Sequence, residues 1–79
     1  MVSKIRITGT AGREEVCRDF RITEKNPVTC GDYISLMWYK DKIGQTFLVE
    51  KDLGGVYMVS GAPSYAIMTV DAKDAEVIE

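Results

Sequence analysis

The sequence predicts a single all-β domain in which five short strands form a small barrel. Apolar and polar residues alternate with period two in several short segments that follow Gly31, which is the pattern of strands with one buried face. Turn signals rich in glycine or proline separate these segments, as they do in small barrels and sandwiches. Sustained helical periodicity is absent from the same part of the sequence. The chain has 79 residues, a length that allows one domain with a thin core.

Five strands are predicted between Gly31 and the end of the sequence. They are residues 31–38, 46–51, 56–60, 65–70 and 76–79. The segments DLGG and GAPS, residues 52–55 and 61–64, are predicted turns, because glycine adopts the positive φ angles that tight hairpins need. The polar segment DAKDA before the last strand is long enough for one helical turn. Alternation predicts a core of Ile34, Leu36, Phe47, Val49, Val59, Ile67 and Val77.

Residues 1–30 are predicted to form an N-terminal β-hairpin that extends or covers one sheet of the barrel in residues 31–79. The segment SKIRIT is a good strand, and glycines follow it. The segment VCRDFRIT is favoured as the second strand of the hairpin, because its alternation continues through Thr23. A helix over residues 11–20 is the alternative, since Thr10 can cap AGREEVCRDF and two of its apolar residues lie four apart.

The composition argues against metal binding and catalysis. The chain has no histidine and only two cysteines, Cys17 and Cys30, whereas a structural zinc site needs four such ligands. The lack of histidine also removes the usual base that activates a cysteine or serine nucleophile. We therefore expect no metal, no cofactor, no catalytic residue and no enzymatic activity.

Hydropathy and targeting signals predict a cytoplasmic protein. No run approaches the roughly 18 apolar residues of a membrane span, and no apolar signal region follows Met1. No membrane partner is therefore expected. Without an oxidising compartment, free thiols are favoured over a disulfide for the two cysteines.

The segment MWYKDKIGQTF, residues 37–47, has the highest concentration of candidate binding residues. It is predicted to be a loop in which Trp38 and Ile43 close the core and Gly44 permits the turn. The candidate binding residues are Trp38, Tyr39, Lys40 and Lys42, of which the last three are expected to be exposed. Aromatic faces beside lysines suit single-stranded nucleic acid, and tryptophan and tyrosine are also enriched at protein interfaces. The mixed local charge favours a protein, and the simplest interpretation is that these residues only complete the loop and core.

Charge is unevenly distributed along the chain, whose net charge is −2. The first thirty residues carry six basic and four acidic side chains, and the remainder carries four basic and eight acidic ones. Arg6, Arg18 and Arg21 are secondary binding candidates, as an edge that meets an acidic protein partner or phosphate. The simplest interpretation is solvated ion pairs across a hairpin, such as Arg6 with Asp19 or Glu15.

The part of the sequence from CGDYISL to DAEVIE resembles the SH3-like barrels of small phage and bacterial proteins, and more loosely those of the KOW type. The matching positions are Gly31–Asp32 at the start, Gly44, Phe47 and Val49 in a strand of the form G-x-x-F-x-V, and Asp74–Ile78 in the last strand. The sequence departs from the KOW pattern at Asp41–Lys42, where a glycine is expected.

This resemblance implies a five-stranded SH3-like barrel and a non-enzymatic module that binds a host or phage protein. Small phage proteins of this kind often inhibit or regulate host machinery, and anti-defence proteins are among them. An inhibitor or regulator encoded by a phage or mobile element is therefore the leading hypothesis. A nucleic-acid-binding module of the SH3 or KOW type is the alternative.

A second, shorter resemblance is to the phage inhibitors of uracil-DNA glycosylase. The segment Val59–Asp71 is similar to their late hairpin, and the matching positions are Ser60, Ala62, Pro63, Tyr65 and Asp71. Those inhibitors are strongly acidic mimics of DNA, whereas this chain carries a net charge of only −2.

Overall fold

The computed structural model of the protein describes residues 2–79, which form a five-stranded sheet with two short helices. In chain order the elements are β1 (Lys4–Ile7), α1 (Ala11–Asp19), α2 (Cys30–Leu36), β2 (Thr46–Asp52), β3 (Val56–Val59), β4 (Thr69–Asp71), a 3-10 turn (Ala72–Asp74) and β5 (Ala75–Val77). The strand order is β4-β3-β2-β1-β5, and every neighbouring pair is antiparallel. The prediction is confirmed in its coarse form, a small and mostly-β fold, but the five strands are not the five predicted: β1 comes from the first thirty residues, and residues 31–38 form no strand. Among the described residues, the outer strands β4 and β5 do not pair with each other, so the sheet is open.

Strand β2 joins the two halves of the sheet. Its first residues pair with β1, where Ile5 lies opposite Phe47, and its later residues pair with β3, where Val49 lies opposite Val59. The register shifts between Val49 and Lys51, and a bulge of this kind bends a strand and increases its twist. The two halves therefore curve around a shared apolar interior.

The core lies where β1, β3 and β4 meet the segment that follows α2. Its buried apolar residues are Ile5, Ile7, Trp38, Tyr39, Val59 and Val70. Of the predicted core, Val59 is buried, and Phe47 and Val49 are partly buried against this cluster. The three residues lie on β2 and β3, where the period-two alternation matches an observed strand pair.

The other four predicted core residues lie outside this cluster. Leu36 is partly buried. Ile34, Ile67 and Val77 are exposed, so the core prediction is wrong for these three residues. Ile34 lies on α2 and Ile67 precedes β4, and alternation assigns a face only within a strand. Val77 lies on β5, an outer strand that has a neighbour on one side only.

The predicted strand over residues 31–38 is wrong, because the chain forms α2 there. The turn before α2 favours the helix: the Asn26 side chain accepts a hydrogen bond from the Val28 amide, and the Asn26 carbonyl accepts one from the amide four residues later. The Met37 amide then donates to the Tyr33 carbonyl. Tyr33 and Met37 lie four apart, which is helical spacing. Helical spacing is thus present at this one pair, although it is not sustained along the segment, and the preceding turn favours the helix.

The predicted N-terminal hairpin is also wrong, because residues 11–19 form α1. The Asp74 carboxylate accepts hydrogen bonds from the Gly12 and Arg13 amides, over 2.7 and 3.0 Å. Amides in the first turn of a helix have no partner within the helix, so this distant side chain satisfies two of them. Thr10, the expected cap, makes no capping bond through its side chain.

Both helices lie in the long connection between β1 and β2. In the sheet, β1 sits between β2 and β5, so a strand from the first thirty residues pairs with strands from the rest of the chain. Neither of the two described helices has the length and apolar character that a membrane span requires.

Candidate functional site

Trp38 and Tyr39, the aromatic binding candidates, both lie in the core. The Trp38 ring packs edge-on against Tyr39 and Phe47, with ring centroids 5.4 and 5.3 Å apart. Its indole N–H donates to the Thr69 carbonyl over 2.9 Å. The prediction that Trp38 closes the core is confirmed, and the predictions that Tyr39 is exposed and Ile43 is buried are wrong.

Tyr39 is buried because its hydroxyl has polar partners inside the protein. The hydroxyl donates a hydrogen bond to the Asp74 carboxylate and accepts one from the Asp71 amide over 3.4 Å. Burial raises the pKa of Tyr39 well above its usual range, and the hydrogen bond to Asp74 raises it further. The hydroxyl therefore stays protonated and acts as a donor.

Arg13 completes this buried cluster from α1. Its guanidinium donates to the carbonyl and hydroxyl oxygens of Thr69, over 3.1 and 3.3 Å, and lies 5.5 Å from the centroid of the Tyr39 ring. Within residues 2–79, no buried side-chain nitrogen or oxygen lacks a hydrogen-bond partner. A satisfied buried network gives rigidity, so this cluster holds α1 and the 3-10 turn against the core.

The two candidate lysines differ in their surroundings. Lys40 is exposed, as predicted; its ammonium lies 5.1 Å from the centroid of the Tyr33 ring and 3.5 Å from the Glu24 carboxylate. Lys42 is half-buried rather than exposed, and it pairs with Asp41 over 3.1 Å. The hydrogen bond from Lys42 lowers the pKa of Asp41, which favours the charged form of that carboxyl. Of the two lysines, Lys40 is the one available at the surface.

The candidate arginines lie in two separate places. Arg6 pairs with Glu76 of β5 over 2.7 Å, so the predicted pairing of Arg6 with Asp19 or Glu15 is wrong. The reason is that α1 replaces the second strand of the hairpin, which leaves β5 as the neighbour of β1 on that side. Arg18 and Arg21, at and after the end of α1, are exposed.

An apolar cleft lies between α2 and the segment before β4, and we call it the α2 cleft. Its lining residues are Ile34, Met37, Trp38, Lys40, Asp41 and Tyr65. Met37 and Trp38 are buried and form its floor, whereas Ile34 and Tyr65 are 52% and 53% exposed. The cleft has a volume of about 90 Å³. It brings together two of the four primary candidates, Trp38 and Lys40.

Two further apolar residues, Ile67 and Met68, lie in the segment before β4. The Ile67 amide donates to the Ser35 carbonyl over 3.3 Å, which holds this segment beside α2. Ile67 and Met68 are both exposed. The sequence prediction missed this surface because it assigned Ile34 and Ile67 to the core. The only residue of this surface that the sequence comparison singled out was Tyr65, one of the positions at which the chain resembles the glycosylase inhibitors.

Cysteines and carboxylates do not assemble a metal site in the described part of the chain. No group of three or more of these side chains within residues 2–79 could hold a metal ion. Cys17 is buried and Cys30 is half-buried, and both are free thiols. Burial raises the pKa of the Cys17 thiol, which reduces its reactivity as a thiolate.

Comparison with known proteins identifies no relative. No protein-family model, no curated protein and no solved structure matches this chain. The resemblances to SH3-like barrels and to the glycosylase inhibitors therefore stay predictions.

Proposed function

We propose that this chain is a non-enzymatic protein-binding module and that the α2 cleft is its contact surface. The observation that carries the proposal is the pair Ile34 and Tyr65, each about half exposed beside a floor of buried side chains. Contiguous apolar surface with polar neighbours is characteristic of interaction sites. Tyrosine is also enriched among the residues that dominate binding energy.

The volume of the α2 cleft indicates the kind of occupant. At about 90 Å³ it is far smaller than small-molecule pockets, which span about 300–1,000 Å³. It is also smaller than the cavity of about 150 Å³ that accommodates benzene. One aliphatic side chain of a partner protein, such as leucine or methionine, fits this space.

The polar rim of the α2 cleft suits a protein partner. Lys40 and Asp41 line the cleft beside its apolar residues, so the surface has an apolar centre and charged groups of both signs around it. Protein interfaces have this anatomy, with an apolar core and a polar rim that hydrogen-bonds the partner.

The fold that accompanies this function is proposed to be a partly open SH3-like barrel. Two observations support it: β2 is shared by both halves of the sheet, and a 3-10 turn separates β4 from β5. The biological role proposed with it is inhibition or regulation of a host protein by a chain that a phage or mobile element encodes. That role rests on the resemblance of residues 31–79 to small phage proteins.

The nucleic-acid alternative depended on exposed aromatic rings beside lysines. Trp38 and Tyr39 are packed in the core, so neither offers a free face on which a base can stack. The candidate segment, residues 37–47, therefore supports the protein-binding proposal over the nucleic-acid one.

Selection from a displayed peptide library tests the proposal. We expect the immobilised protein to enrich peptides with an aliphatic anchor, and Ile34→Ser and Tyr65→Ser each to weaken their binding about thirtyfold, the effect of losing about 2 kcal/mol at an interface hot spot. The matched control is Leu48→Ser, which alters an equally apolar residue that is 60% exposed on β2, outside the cleft.

Two results would contradict the proposal. One is the absence of any enriched peptide. The other is enrichment of peptides that bind Ile34→Ser and Tyr65→Ser as tightly as the wild type, with circular dichroism showing that both variants are folded.

A further inference from the structure

The loop that follows α1, residues 20–29, has a defined shape although it contains no strand or helix. The Thr23 amide donates to the Thr29 hydroxyl, and that hydroxyl donates to the Thr23 carbonyl, each over 3.1 Å. The Ile22 amide donates to the Cys17 carbonyl over 2.8 Å, which fixes the start of the loop to α1. We call residues 18–28, the end of α1 with this loop, the post-helix surface.

Two apolar side chains of the post-helix surface are largely exposed to solvent. Phe20 is 72% exposed and Val28 is 85% exposed, more than any other large apolar side chain in residues 2–79. Neither lines the α2 cleft. Full burial of such side chains is worth about 1.5–3 kcal/mol each, and this stabilisation is not obtained in the isolated chain.

The same surface carries an excess of unpaired positive charge. Arg18, Arg21 and Lys25 make no salt bridge within the described part of the chain, whereas five other cations do so, namely Lys4, Arg6, Lys40, Lys42 and Lys73. Of the two acids in this stretch, Glu24 already faces Lys40 over 3.5 Å. The post-helix surface therefore holds three cations without a salt bridge but only one such carboxylate, Asp19.

We propose that the post-helix surface docks an acidic segment of a partner protein, one that carries an apolar side chain among its carboxylates. Arginine binds carboxylates through bidentate hydrogen bonds. The apolar side chain of the partner segment would cover Phe20 and Val28. The proposal goes beyond the α2 cleft and rests on different residues, so either surface can fail without the other.

The chemistry of this surface favours protein over nucleic acid. Acidic side chains are interleaved with the basic ones, and the chain as a whole carries a net charge of −2, whereas nucleic-acid-binding surfaces are strongly basic. Phe20 offers a ring face for a base but Val28, the more exposed of the two, does not, whereas an aliphatic or aromatic side chain of a protein packs against both.

Fluorescence anisotropy with defined probes tests this proposal. The probe is a short fluorescein-labelled peptide of glutamates with interspersed leucine and phenylalanine, measured against the full chain at about 50 mM salt. We expect binding that weakens about tenfold in the double variant Arg18→Gln/Arg21→Asn and in Phe20→Ser. Asparagine is chosen because Arg21 has a φ of 54°, a conformation that asparagine tolerates.

The controls separate this surface from general electrostatic attraction and from the α2 cleft. Lys51→Gln removes an exposed cation of β2 that also makes no salt bridge in residues 2–79, and it is expected to leave peptide binding unchanged. Ile34→Ser is likewise expected to leave it unchanged, whereas it is expected to weaken the binding of peptides selected for the cleft about thirtyfold.

Four results would overturn the proposal. They are no measurable binding of the acidic peptide, equal binding of a peptide in which glutamine replaces glutamate, equal loss in Lys51→Gln, and tighter binding of an oligothymidylate of similar length. The last result would assign the surface to single-stranded nucleic acid.

Discussion

The hydroxyl of Tyr39 donates a hydrogen bond to the carboxylate of Asp74, and almost no solvent reaches either side chain. The same carboxylate accepts the amides of Gly12 and Arg13. Three parts of the chain thus meet at one buried group: the segment after α2, the start of α1 and the 3-10 turn. A buried carboxylate is costly unless such hydrogen bonds satisfy it, so the fold depends on all three donors.

Replacing Asp74 by asparagine is expected to destabilise the protein by about 3 kcal/mol. The variant keeps the shape of the side chain but turns one acceptor oxygen into an NH₂ group, which then faces a donor in a dry site. Urea denaturation measures the change, and Glu50→Gln, at an exposed position of β2, is the control with an expected effect below about 0.5 kcal/mol. An unchanged urea midpoint for Asp74→Asn would show that the cluster does not stabilise the fold.

Tyr39→Phe is expected to lower the free energy of unfolding by about 1–2 kcal/mol, because it removes one hydrogen bond to a charged group and keeps the ring. Tyr65→Phe, at an exposed position of the α2 cleft, is the matched control and should change stability little. In the Asp74→Asn background the cost of Tyr39→Phe should shrink, since the two side chains are coupled. Simple additivity of the two substitutions would argue against a direct interaction.

The parts of the fold that the sequence predicted correctly are those fixed by local chemistry. The turn between β2 and β3 closes with the Leu53 amide on the Val56 carbonyl, and Gly54 has a φ of 95°. Paired glycines between alternating segments indicate such a turn without knowledge of the rest of the chain. The strands on either side of it follow from the same local signal.

The parts that could not be predicted depend on contacts between distant residues. The choice between helix and hairpin for residues 11–20 is decided by Asp74, which lies 62 residues from Gly12 in the chain. The burial of Tyr39 depends on the same carboxylate. The α2 cleft is harder still to predict from the sequence. Its prediction requires that α2 be recognised as a helix and that the backbone contact holding Ile67 beside it be known.

Gly12→Ala is expected to destabilise the protein although alanine favours helices. A Cβ atom at this position would lie 2.6 Å from the Asp71 Oδ1, closer than real contacts allow, and a tight 3.0 Å from the Lys73 Cβ. Moving the Asp71 carboxylate away would break its hydrogen bond with the Lys73 amide, which caps the 3-10 turn. Thermal denaturation measures the loss, which we expect to be about 1–3 kcal/mol.

The control for this prediction is Gly31→Ala in α2. Nothing lies within 4 Å of a Cβ atom built at Gly31, so the substitution should gain up to about 1 kcal/mol from helix propensity. We therefore expect Gly12→Ala to lower the free energy of unfolding and Gly31→Ala to raise it. A gain at Gly12 would mean that α1 does not pack closely against the 3-10 turn.

Alkaline pH is expected to destabilise the fold through Tyr39. Tyrosine in an unfolded chain has a pKa of about 10, and burial together with the hydrogen bond to Asp74 raises the pKa of Tyr39 in the folded state. Above about pH 10 the unfolded chain releases this proton while the folded protein keeps it, so the free energy of unfolding falls as the pH rises. Below that pH the contribution of Tyr39 is complete.

Urea midpoints measured between about pH 8 and pH 11 test this dependence. The midpoint of the wild type should fall more steeply than that of Tyr39→Phe, which has no such proton to lose. Both proteins should also carry Cys17→Ala. Burial raises the pKa of Cys17 as well, so its ionisation would lower the free energy of unfolding at a lower pH and mask the effect of Tyr39. Parallel curves for the two proteins would mean that Tyr39 ionises as readily in the folded state as in the unfolded chain, and hence that its hydroxyl is not enclosed.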